Sequence, residues 1–312
     1  MWRSKDATRG IFAVTVVATM LAAWRFTGRD LLLFPEVGAL TVGLLMVDKG
    51  VWRVSKLACL CAMTVAAVVG VAVQQYAACV GFGLPPVIAF VLMGLLLYVT
   101  RVQMPPALAA AVMPTVFGID TWGYVGVVAS LVAFVLAAQW IMELTGVRRY
   151  QMPIVMFSRA ERDSFGKLGI MVLSIVPIGV VAWLTGWRFL IAPPLLVTFA
   201  EFALGESGFR RRPWQVLFML FFGSSVGAAA SIFSRSLGIG EVLAGTCAYA
   251  VMLSLFYIFR KSFAPAATVA LLAMLIGEAE IWTFPVQISL GGAYMILVSS
   301  FPGLLLKSNR KS

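Results

Sequence analysis

Residues 27–53 read TGRDLLLFPEVGALTVGLLMVDKGVWR, and residues 185–211 read TGWRFLIAPPLLVTFAEFALGESGFRR. Thr27-Gly28, Pro35, Gly50 and Arg53 return 158 residues later as Thr185-Gly186, Pro193, Gly208 and Arg211. Pro106 and Gly118 return as Pro265 and Gly277 at a shift of 159. Self-similarity over half of an apolar chain marks a transporter or channel assembled from two copies of one membrane module.

Composition agrees. Hydrophobic residues are 61% and charged residues 12% of the 312 positions, against roughly 45–50% and about 25% in soluble domains. So much apolar surface makes the bilayer the natural solvent. Histidine is absent, which removes the commonest metal ligand, the usual acid–base group near neutral pH and any nucleophile–His catalysis. No phosphate loop, nucleotide fingerprint or metal cluster stands out, so no cofactor is expected and the chain does not read as an enzyme. Active transport would then draw on an ion gradient or a separate ATPase subunit. Cys59, Cys61, Cys79 and Cys247 have no metal-ligand spacing and read as buried small hydrophobes. The net charge of +11 lies in short loops between apolar runs, which points to lipid and topology, not to nucleic acid. The expected partners are the bilayer and a small-molecule or ion substrate, with homo-oligomerisation left open. The first residues, MWRSKDATRG, with the apolar run from Ile11 resemble a signal peptide without a small-x-small cleavage site before Trp24 and Arg25. They read as a retained first helix.

Apolar runs fall at 11–24, 31–47, 57–75, 85–100, 105–118 and 122–142, and again at 168–184, 189–204, 215–232, 241–259, 264–277 and 281–303. The expected fold is an all-α polytopic membrane protein with two six-helix repeats, residues 1–142 and 168–306. A cytoplasmic linker with an interfacial helix takes 143–167, and a basic tail 307–312. With the N-terminus inside, only Arg25, Arg29, Arg188 and Arg235 of the 24 Lys and Arg fall outside. This positive-inside bias places both termini in the cytoplasm of a cell with the protein in its inner (plasma) membrane. An even number of spans per copy makes the copies parallel, related by an axis along the membrane normal.

The second and fifth spans of each copy open on proline, in FPEVGAL (34–40), IAPPLLV (191–197), QMPPALAAAVMP (103–114) and FAPAATVALLAM (263–274). Proline suits the first turn of a helix, and lipid tolerates no bare helix start. The fifth span is too short to cross fully, so it reads as beginning inside the membrane. If second and fifth spans meet there, two positive helix ends frame an anion site; the plain alternative is ordinary helix starts at the interface. The candidate substrate-binding set is Pro35, Glu36, Gly38, Gln103, Pro105, Pro106, Pro193, Thr198, Glu201, Pro265 and Thr268. Thr198 and Thr268 would add hydroxyls. An acid within a span is a functional candidate, so Glu201 would carry protons or else pair with Arg210 or Arg211. Small residues after the prolines serve close packing or line a pore.

Gly38-Ala39, the turn holding Arg53 and the apolar run ending at Gly70 resemble the earlier part of the HPP family of integral membrane proteins, and Met104-Pro105-Pro106-Ala107 resembles its later motif, with Ala264-Pro265-Ala266 as a second-copy counterpart. The motif histidine is Met104 here and Phe263 in the second copy, so no role of that histidine carries over. Some members are linked to nitrite transport into plastids, so the resemblance implies a small-anion permease. A weaker likeness is to fusaric-acid-resistance and aromatic-acid-exporter proteins. The expected function is a permease or channel for a small anion. The rivals are an exporter of aromatic or amphipathic acids and a non-transporting subunit of a membrane complex.

Overall fold

The structure is a computed structural model and describes residues 4–47, 52, 54–81, 83–148, 162–204, 209–238 and 240–308. The described residues are helical, with no strand among them. In chain order the helices are α1 (Ser4–Thr27), α2 (Glu36–Thr41), α3 (Lys56–Ala77), α4 (Leu84–Thr100), α5 (Pro106–Phe117), α6 (Gly123–Leu144) and α7 (Arg162–Thr185). They continue with α8 (Pro193–Leu204), α9 (Pro213–Leu237), α10 (Glu241–Phe259), α11 (Ala264–Leu272), the single turn α12 (Glu278–Ile281) and α13 (Phe284–Ser308). A π turn, Val42–Met46, continues α2, and 3-10 turns at Asp30–Leu32 and Arg188–Ile191 lead into α2 and α8.

Among the described residues five helices are long and apolar enough to cross a bilayer: Asp6–Thr27, Lys56–Val80, Gly123–Leu144, Pro213–Leu237 and Glu241–Phe259. The Pro-led helices are different. α5 and α8 have 12 residues each, about 18 Å at 1.5 Å per residue, and α11 has 9. None of these matches the roughly 30 Å of a hydrocarbon core. The run expected at 31–47 is a 3-10 turn, a short helix and a π turn, because Pro35 restarts the chain within it. α7 begins at Arg162, inside the stretch expected to be linker, and residues 149–161 of that linker lie outside the described residues. So do Gly50 and Arg53 of the first basic turn, Gly208 of the second, and 309–312 of the tail.

The chain divides into two compact units, each discontinuous in sequence. Unit 1 takes Met1–Leu60, Gly123–Val155 and Met219–Pro285; unit 2 takes Cys61–Trp122, Met156–Phe218 and Val286–Ser312. The units therefore cut across both sequence halves. In unit 1, α2 packs on α11, α1 packs on α10 and α2, and α6 packs on α1 and α2. Every residue of α2 and of α11 is buried. In unit 2, α5 packs on α8 and α4, and α4 on α7. Pro106 through Val116 of α5 are buried. In both units short helices that are apolar all round form the core, as fully enclosed helices must be. The long helices turn large apolar side chains outward, among them Leu57 and Val65 on α3, Leu173 and Leu184 on α7, and Val251 and Ile258 on α10. An exterior of this kind fits lipid as solvent. Cys59 is buried as expected, but Cys61, Cys79 and Cys247 lie on the exposed surface, where an apolar thiol is equally at home in lipid.

Glycines let the long helices reach the backbone of the short ones. A Cβ at Gly227 on α9 would fall 2.3 Å from the Ala270 carbonyl oxygen of α11, and one at Gly223 2.7 Å from that of Ala266. A Cβ at Gly70 on α3 would fall 2.3 Å from the Ala111 carbonyl oxygen of α5. Such separations leave no room for any side chain, and small-residue interfaces are how membrane helices approach closely. Gly227→Leu and Gly70→Leu should each abolish recovery of monodisperse protein in detergent. Gly227→Ala should cost about 1–3 kcal/mol through overpacking. Gly126→Leu, where a Cβ meets open space, should be recovered like the unmodified protein; size-exclusion profiles and melting curves check all four.

Candidate functional site

The Pro-led helices pack in pairs. In unit 1 α2 crosses α11 at Gly38, whose Cβ would lie 2.9 Å from Leu271 Cδ1 in the last turn of α11 and 3.4 Å from the Ala267 carbonyl at its middle. In unit 2 the pair is α5 and α8. The sequence-selected residues thus fall into two sets. Pro35, Glu36, Gly38, Pro265 and Thr268 belong to unit 1; Gln103, Pro105, Pro106, Pro193, Thr198 and Glu201 belong to unit 2. Gln103 is exposed and Glu201 is half-exposed, while Pro35, Pro106, Pro193, Thr198 and Pro265 are buried.

The helix starts carry fewer bare amides than their shortness suggests. An uncapped helix leaves four N–H groups without partners. Here proline supplies none, and the next amides bond back to the chain just before the helix. Val37 N–H donates to Phe34 O (3.0 Å) and Gly38 N–H to Pro35 O (2.8 Å). Ala107 N–H donates to Met104 O (3.0 Å), Leu108 N–H to Pro105 O (3.0 Å), Leu195 N–H to Ala192 O (2.9 Å) and Ala266 N–H to Phe263 O (3.1 Å). Side chains consequently carry more of the site's chemistry than backbone dipoles do.

In unit 1 those side chains are Glu36 and Thr268. Glu36 is 1% exposed, and its Oε2 is buried without a hydrogen-bond partner. Thr268 is fully enclosed, and its Oγ1 likewise has no partner. Thr246 and Ser231 share this state, whereas Thr19, Thr115 and Thr198 donate to a carbonyl three or four residues back. Leaving a buried polar atom unpaired costs about 1–3 kcal/mol, so each marks a place where something polar is missing or where function retains the cost. The ring of Tyr124 of α6 packs edge-on against Phe34, two residues before Glu36, with centroids 6.0 Å apart. At the far end of α2, Thr41 Oγ1 lies 2.8 Å from Val37 O and 2.9 Å from Gly38 O. Its hydroxyl also shares a 2.6 Å hydrogen bond with the Tyr249 hydroxyl of α10.

Unit 2 is differently equipped. Thr198 donates to Pro194 O (2.9 Å). Arg188, just before α8, holds its guanidinium over the rings of Phe117 (5.8 Å) and Phe189 (5.0 Å), and Gln287 accepts from Phe189 N–H at 3.0 Å. Sequence reading missed Tyr124, Tyr249 and Arg188. The available signal was a tyrosine within an apolar run and a cation directly ahead of a Pro-led start.

Five bilayer-length apolar helices around short buried ones define a helical membrane protein. Compared with known protein families, characterised proteins and solved structures, the chain matches none. Tyr249→Phe should lower stability by about 1 kcal/mol, the net worth of one hydrogen bond. Thr41→Val should cost more, toward 3 kcal/mol, because it orphans the buried phenol. The double variant should cost less than the sum; denaturant titration in detergent measures the cycle.

Proposed function

We propose that the chain is a membrane permease or channel for a small anion of the size of nitrite. It consists of two six-span modules in parallel orientation, with both termini on the cytoplasmic side of the inner (plasma) membrane. The observation that carries this reading is the pairing, inside a buried core, of two helices too short to span, each pair joining a second span to a fifth span. Interrupted helices of this kind form substrate sites in transporters, because irregular backbone at membrane depth is tolerated only where protein or a cavity satisfies it.

Correspondences between the halves support the two modules. Spans one, two and six of one half join spans four and five of the other in each unit. Arg101 and Arg260, 159 residues apart in sequence, both end a helix in the left-handed region, with φ of 59° and 51°. The glycine-to-carbonyl contacts Gly70–Ala111 and Gly227–Ala270 are repeated at nearly the same spacing. The resemblance to the HPP family supports the choice of a small anion, and the bias of basic residues toward one side supports the orientation.

Reconstituted into liposomes, the protein should accelerate the entry of nitrite, formate or chloride above that of empty vesicles. Failure to move any of the three ends this reading.

A further inference from the structure

We propose that Glu36 is a proton site of the transporter, holding a proton when the anion binds in unit 1 and releasing it with the anion on the opposite side, so that anion and proton cross together. This rests on the anion-permease reading above.

Among the described residues Glu36 stands apart from the other carboxyls. Glu143 is paired with Lys56 Nζ (2.5 Å) and accepts from Gln139 (3.1 Å), and Glu241 meets Arg25 at 3.2 Å. Glu201, which sequence reading favoured as the proton carrier, is half-exposed and has interactions of its own. Glu36 is enclosed, with one oxygen unpartnered. The elements packed against α2 offer it no cation. α11 and the π turn have no ionisable residue. The charged residues of α1 lie in its first two turns (Lys5, Asp6, Arg9) and at its end (Arg25). α6 presents the neutral Tyr124, and its one acid, Glu143, is already paired. Thr268 on α11 adds a second unpartnered oxygen to the same helix pair.

An enclosed carboxyl with no cation among the described residues of the elements packed against it is held in its neutral form, because burial disfavours the charged one. An arriving anion therefore meets a carboxylic acid whose proton came from water, and like charges would not share the site. The acid then becomes a hydrogen-bond donor to the anion, and a monovalent anion and one proton cross with no net charge. The second half has Pro194 at the matching position, so unit 2 carries no such coupling.

The experiment measures nitrite uptake and lumenal pH together in proteoliposomes under an inward nitrite gradient. The unmodified chain should acidify the lumen in step with nitrite. In Glu36→Gln the protons moved per nitrite should drop to the leak of empty vesicles, whatever the absolute rate, and Glu36→Asp should restore coupling. An unchanged ratio in Glu36→Gln overturns this inference and leaves the permease reading standing; absence of nitrite, formate and chloride uptake alike in the unmodified chain overturns both. A readout without substitution guards against a variant that does not fold. Near neutral pH the unmodified protein should show the infrared carbonyl band of a protonated carboxylic acid, shifted to lower frequency when nitrite is added and its O–H bonds the anion; absence of the band or of the shift overturns the proposal.

Discussion

The contact between a glycine of a long helix and a backbone carbonyl of a short one is the constraint on which the rest depends. Short helices such as α5 and α11 cannot span a bilayer, and they lack the length to persist unaided. They exist because longer helices press against their backbones: Gly70 against Ala111, and Gly223 and Gly227 against Ala266 and Ala270. In lipid there is no hydrophobic force between helices, so close van der Waals approach is what holds them. Gly38 extends the same logic to the crossing of two short helices. With those approaches in place, the short helices become a buried platform, and side chains on their first turns are held where water and lipid do not reach.

The two units share a scaffold and differ in chemistry. The matching helices are present in both, yet Glu36 corresponds to Pro194, Thr268 to Ala109 and Arg188 to Asp30. Unit 1 thereby holds an enclosed acid and, on the paired helix, a hydroxyl with no hydrogen-bond partner, whereas unit 2 holds a guanidinium laid over two aromatic rings. Charge at the end of unit 1 nearest Val47 is used in an equally specific way. Arg9 donates twice to Val147 O (3.2 and 3.0 Å), and Arg148 donates to Val47 O (3.2 Å). Both arginines are almost fully buried. These cations satisfy carbonyls in tight turns, a job distinct from setting topology.

Much of this was legible in the chain. Apolar runs interrupted by Pro35, Pro106, Pro193 and Pro265 locate the helices and identify the short ones, because proline at a first turn and the length of a run are local properties. Glu36 was legible as an acid near a helix start, and Gly70 as the end of a small-residue run. Glu201 and Gln103 show the limit: both lie in apolar or Pro-led segments, and neither is enclosed. Exposure depends on which face a neighbour covers, and that neighbour is distant in sequence.

Composition, helix positions and the duplicated pattern were thus determined by the sequence, since hydropathy, proline geometry and glycine spacing act over a few turns. Tertiary structure alone decided that α2 would find α11 and α5 would find α8, that several first-turn amides would be spent on the preceding chain, and that one oxygen of Glu36 would be left without a hydrogen-bond partner. Those outcomes rest on contacts between residues far apart in the chain, where the shape of two packed surfaces selects the partner and no local preference reports it.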